Sequence, residues 1–185
     1  MEAVIKDGKG KNGAASVSVV QRLNVSAKTN PRTFYISRDD GLAFNYTSKV
    51  ASAVAGDMVA YIKNTSTTRN LFIKTFEMHA ANDAEWTIYS CTGTAAGTEV
   101  TPANLNLGSG LPSETLAFGD AAVTGLTTDR RVGLHRTSAG SGDEMRYEDA
   151  LILPPNTAIC VEYTAGTTGT AEVDIHYHFE NIGAS

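Results

Sequence analysis

The run Ala171 to Glu180, AEVDIHYHFE, decides how this chain folds. Ala171, Val173, Ile175, Tyr177 and Phe179 fall on one side of it, and Glu172, Asp174, His176, His178 and Glu180 on the other. A period of two belongs to a half-buried β-strand, because successive Cβ atoms point to opposite faces of the sheet. The same habit recurs upstream. VAYIK (59–63), LFIKTFEM (71–78), EWTIYSC (85–91), RVGLHR (131–136), the stretch 145–153 and the stretch 158–163 all read as strands. Turns rich in Asn, Thr, Gly and Pro separate them, such as NTSTTRN (64–70), Pro154-Pro155-Asn156 and TAGTTGT (164–170). The pattern predicts an all-β protein, an antiparallel β-sandwich of jelly-roll type with an extended N-terminal arm. An immunoglobulin-like sandwich is the runner-up, but Trp86 precedes both cysteines, against the spacing of that fold. Residues 92–128 read as a long irregular excursion, with a helical turn over 121–127.

Two domains are expected, an arm over 1–45 and a sandwich over 46–185. Within the arm, GKGKNG (8–13) reads as a flexible, solvated stretch, and VSVVQRLNV (17–25) alternates in β fashion until Asn30-Pro31 breaks it. The net charge of −5 conceals an asymmetry. Lys6, Lys9, Lys11, Arg22, Lys28, Arg32 and Arg38 face only Glu2 and Asp7 in residues 1–38, whereas the remainder carries eight basic and eighteen acidic groups. A basic leader on an acidic body points to an arm that docks on another surface. Exposed ion pairs return roughly 0.2–1 kcal/mol each, against about 1–2 kcal/mol to order one residue. Charge alone therefore cannot hold the arm. Strand pairing or apolar burial must help, and the residues expected to dock are Val4, Ile5, Lys6, Lys9, Lys11, Val17, Val19, Arg22, Leu23 and Val25.

Candidate chemistry is sparse. Gly8, Gly10 and Gly13 match the spacing of a dinucleotide fingerprint, but β-prone residues follow where a helix is required. His176 and His178 form an HxH pair on the polar side of their strand, which predicts a polar sheet face or a subunit contact and not a metal grip. His79 and His135 sit at strand ends with no nucleophile in a recognisable setting. Asp143, Glu144, Glu148 and Asp149 beside Arg146 read as a solvated loop face whose charge suits a basic arm from another copy. Trp86 reads as core. Cys91 and Cys160 read as two reduced thiols acting as small hydrophobes. No catalytic residue, metal ligand or cofactor is assigned. The first 33 residues hold no aromatic group for base stacking, which argues against nucleic acid. No apolar run approaches the ~18 residues of a membrane span. The opening lacks the apolar core of a secretory signal, so folding in the cytoplasm is expected.

EAVIKDGKGKNGAASV (2–17) and QRLNVSA (21–27) resemble the start of virion structural proteins of tailed bacteriophages. The resemblance continues in AYIKNTSTTRNLFI (60–73) and in ALILPPNTAICVEYTAGTTGTAEVDIHYHF (150–179). It implies a jelly-roll head decoration (cement) protein on the capsid exterior of the virion, assembled in the host cytoplasm. Its implied partners are the major capsid protein and further copies of itself as a homotrimer, with no enzymatic role, nucleic acid or membrane. The alternative it leaves open is a tail or baseplate β-sandwich protein that binds host carbohydrate, through loops in 92–128 and 137–149, or other tail proteins.

Overall fold

The structure is a computed structural model and describes residues 4–6, 12–14 and 32–182. The chain divides into two compact units, residues 1–31 and 32–185. In the first, β1 (Val4–Lys6) and β2 (Asn12–Ala14) form a two-stranded antiparallel sheet, with Val4 opposite Ala14, Ile5 opposite Gly13 and Lys6 opposite Asn12. The alternation expected over 17–25 lies outside the described residues.

The second unit opens with a short helix, α1 (Arg32–Tyr35), and a single π turn, Ile36–Asp40. Nine strands follow: β3 (Ala43–Ala53), β4 (Asp57–Asn64), β5 (Arg69–Ala80), β6 (Ala84–Glu99), β7 (Ala103–Asn104), β8 (Thr115–Thr137), β9 (Gly142–Leu153), β10 (Ala158–Gly166) and β11 (Gly169–Asn181). The protein is an all-β antiparallel sandwich. One sheet has the order β7-β3-β11-β5-β9, and β10-β4-β8-β6 close into a ring. The long strands pair in a nested way about the β6–β8 hairpin: β5 with β9, β4 with β10, and β3 with β11.

The division at 31/32 differs from the boundary expected at residue 45, which falls inside β3. Ala43 and Phe44 are core residues, and Phe44 packs its ring 5.8 Å from Tyr177 and 5.9 Å from Phe179. β11, read from its alternation, is the central strand and buries its apolar set completely. From the facing sheet come Val59, Ile62, Trp86, Ile88, Val161 and Tyr163. Trp86 is wholly buried, meets Tyr163 edge-on at 5.3 Å, and donates from Nε1 to Thr137 Oγ1 at 3.0 Å. Buried Asn64 ties the strand ends together, donating to the carbonyls of Leu153 (2.8 Å) and Arg69 (2.9 Å) and accepting from the Ser66 N–H.

The expected irregular stretch 92–128 is largely strand. β6 runs on to Glu99, and β8 begins at Thr115 and runs through 121–127, where a helical turn was expected. Its first part, from Thr115 to Val123, pairs with β4, and from Phe118 onward it pairs with β6, so the hairpin must bend for the ring to close. The bend falls at two glycines on facing strands. Gly93 (φ +105) and Gly125 (φ +76) hold conformations that side chains rarely adopt, and a Cβ on Gly125 would lie 2.2 Å from the Thr94 carbonyl oxygen. Tyr61, Cys91, Val123, Ala158 and Cys160 fill a second, smaller core there. Both thiols are buried and unbridged.

Two outcomes follow. Gly125→Ala is expected to destabilise the body by about 1–3 kcal/mol, because a non-glycine residue there is both strained and crowded; the urea midpoint measures it. Burial raises the Tyr46 phenol and pushes those of Tyr61 and Tyr177 up to about 12. The unfolded chain ionises tyrosine near pH 10, so the stability these residues carry is complete below about pH 10 and is lost as pH rises towards 12. Absorbance at 295 nm should show these phenols ionising after the exposed ones, together with unfolding.

Candidate interaction surface

The inward alternation of β11 commits its other residues to the outer face of the five-stranded sheet, and strand register decides what stands beside each. Asp174 lies opposite Thr47 on β3 and opposite Glu77 on β5, and Glu77 in turn lies opposite Glu144 on β9. Three carboxylates from three strands thus stand in one row. Directly opposed like charges on a sheet repel, so this row costs folding energy instead of contributing to it. The next row sets Glu172 between Lys49 and His79, with Lys49 Nζ 3.3 Å from Glu172 Oε2. Glu77, His79, Asp143, Glu144, Glu172 and Asp174 line an open groove.

Relief is local and partial. Asp174 Oδ1 accepts from the Thr47 hydroxyl and from Asn45 Nδ2 at 3.4 Å. Glu144 is held by Arg146 at 2.6 Å, and Asp143 lies 3.2 Å from His135 Nε2. The expected loop face of Asp143, Glu144, Glu148 and Asp149 is instead strand: all four lie on β9. Opposite Thr75 stands Arg146 and opposite Ile73 stands Leu151, so residues 147–150 bulge from the ladder, with Glu148 and Asp149 at φ +48 and +70. His135 and Asp143, paired here, come from neighbouring strands that alternation alone does not bring together.

The histidines separate. His176 is half-buried on the outer face, but His178 is wholly buried, its ring stacked on Phe72 at 5.4 Å and 5° and its Nε2 2.9 Å from Glu180 Oε1. The polar side of β11 is thus open at Glu172 to His176 and closed at His178. Among the described residues no group of three or more His, Cys, Asp or Glu side chains is arranged to hold a metal ion. No helix among them is long and apolar enough to cross a membrane.

Of the residues expected to dock, Val4, Ile5 and Lys6 form β1. Lys9, Lys11, Val17, Val19, Arg22, Leu23 and Val25 lie outside the described residues. The carboxylate row was missed by sequence reading: its members are 67 and 97 positions apart, as numbering from Glu77 to Glu144 and to Asp174 gives. Net acidity was the one signal that pointed towards it. No protein-family model matches this chain, and no curated protein or solved structure shows significant similarity to it.

Neutralising the middle of the row tests its repulsion. Glu77→Gln is expected to stabilise the fold by roughly 0.2–1 kcal/mol at low salt, and by less at about 1 M salt, where screening removes the effect. Urea unfolding at the two ionic strengths measures both.

Proposed function

We propose that this chain is a structural protein without catalysis, which decorates and cements a bacteriophage capsid by bridging neighbouring capsid subunits. The acidic body is a jelly roll, and the basic N-terminal unit is the part that reaches a neighbour. The nested pairing of β3 with β11, β4 with β10, β5 with β9 and β6 with β8 supports the jelly-roll reading. The resemblance of residues 2–27, 60–73 and 150–179 to virion proteins supports the setting.

The observation that carries this role is the division of charge between the two units. The body keeps three carboxylates abreast at a cost to its own stability. Residues 1–31 carry Lys6, Lys9, Lys11, Arg22 and Lys28 against Glu2 and Asp7. Such a layout is unfavourable within the body and becomes favourable when a surface of opposite sign arrives. Assembly multiplies modest contacts. Once one arm of a homotrimer has docked on the major capsid protein, the others bind from a high effective concentration, and the shell is tied across subunit boundaries without new chemistry.

Deleting residues 1–31 tests this directly. The remaining body should keep its β-type circular dichroism and its cooperative unfolding while losing co-sedimentation with capsids. Full retention of the shortened protein on the particles would overturn the role.

A further inference from the structure

Cys91 and Cys160 are the two cysteines of the chain, and the fold brings them together across 69 positions, as the numbering gives. Both lie in the second core, with Tyr61, Val123 and Ala158. Strand register fixes their relation. Cys91 stands opposite Ala158 and Cys160 opposite Tyr89, so the thiols are diagonal neighbours on one face of the β6–β10 pair. The six pairs from Ala158–Cys91 to Tyr163–Trp86 run without a shift and hold that alignment.

Diagonal neighbours on a regular ladder stand roughly 7–8 Å apart, and a disulfide spans about 4.4–6.8 Å between Cα atoms. The step that remains is small, and one side of β6 leaves room for it. Against β8, the register of β6 shifts between Tyr89 and Cys91 and again between Gly93 and Ala96. Gly93, two residues from Cys91, takes φ +105. A regular ladder therefore clamps Cys91 on the β10 side only, and its sulfur can close on that of Cys160 while the β6–β10 pairing is kept.

The two thiols are not equivalent. Cys91 keeps 6% of its surface exposed and Cys160 none. A side-chain hydrogen bond with Cys160 holds the Cys91 thiol below its ordinary range, against the opposing effect of burial. The same contact, and then burial, push the Cys160 thiol up. The thiolate is the reactive form, so Cys91 reacts first.

We propose that Cys91 and Cys160 are a reversible redox pair that hydrogen peroxide converts to a disulfide, locking β6 to β10 within the ring. The Cys91 thiolate attacks one peroxide oxygen, the O–O bond breaks, and a sulfenic acid forms while the departing hydroxide takes up the thiol proton as water. The Cys160 sulfur then attacks the Cys91 sulfur. The S–O bond breaks, and the leaving hydroxide takes the Cys160 proton. Two thiols and one peroxide become one disulfide and two waters, with two electrons passing from sulfur to oxygen. A dithiol reductant reverses the step by exchange. The pair belongs to the body and does not depend on the N-terminal unit or its role.

The full chain is the material for the test. Reduced protein is exposed to hydrogen peroxide in native buffer, then unfolded in the presence of a maleimide and weighed intact. The expected product is a monomer lighter by two hydrogens that takes no maleimide and yields one peptide pair joining Cys91 to Cys160. Dimedone present during the reaction should label Cys91 alone. Disulfide formation should be about tenfold faster than in urea-unfolded protein, because the fold raises the local concentration of one thiol beside the other. The urea midpoint should rise by about 1 M on oxidation, since the bond closes a long loop in the unfolded chain, and should return with dithiothreitol. Two thiols still open to maleimide after peroxide would overturn the proposal. So would disulfide-linked dimers, dimedone on Cys160, a rate no faster than in urea, or a midpoint that oxidation leaves unchanged or lowers.

Discussion

The body depends on one long-range pairing, that of its last strand with its first. β11 lies between β3 and β5, and its residues Ala43-facing His178 to Ala53-facing Gly169 span nearly the whole of β3. A central strand cannot leave either row of backbone groups unpaired in a buried sheet without a penalty of about 1–3 kcal/mol per orphan. The chain must therefore bring its end back to its beginning. The intervening strands nest inside this pairing, β4 on β10 and β5 on β9, about the β6–β8 pair. Such non-local pairing makes closure entropy precede the contacts that reward it, and folds of this kind form slowly.

The same pairing produces the acidic surface. With Val173, Ile175 and Tyr177 turned inward, Glu172 and Asp174 must turn outward, and the registers with β5 and β9 bring Glu77 and Glu144 alongside. Nothing in the packing of the core requires carboxylates at those outer positions, although Glu172, Asp174 and Glu144 each find local partners in Lys49, Thr47 and Arg146.

Where alternation was strong, the sequence was legible. Val59–Lys63, Leu71–Met78, Glu85–Cys91, Arg131–Arg136 and 171–180 all lie within strands, and Trp86 is core as its setting implied. Alternation failed in the distal β6–β8 hairpin. Thr92–Glu99 is built from Thr, Gly and Ala with Glu99 at its end, so it lacks the large apolar half that marks a buried face. The corner that closes the ring needs Gly93, opposite Leu126, and Gly125 beside it, and a glycine in a strand looks the same in sequence as a glycine in a turn. His178 misled for a different reason. Its place in the period assigns it to the polar side, yet stacking on Phe72 and a carboxylate partner allow a polar ring to be buried there.

By itself, then, the amino-acid order determined which apolar residues turn inward along the strongly alternating strands, the all-β character of the body and the opposite net charge of the N-terminal segment and the rest, because period and composition are local properties. Tertiary structure alone decided which strands became neighbours and in what register. That is why the row Asp174–Glu77–Glu144 and the ring around Cys91 and Cys160 could be found only in three dimensions: each joins residues that share nothing along the chain except the hydrogen-bond ladders that bring them together.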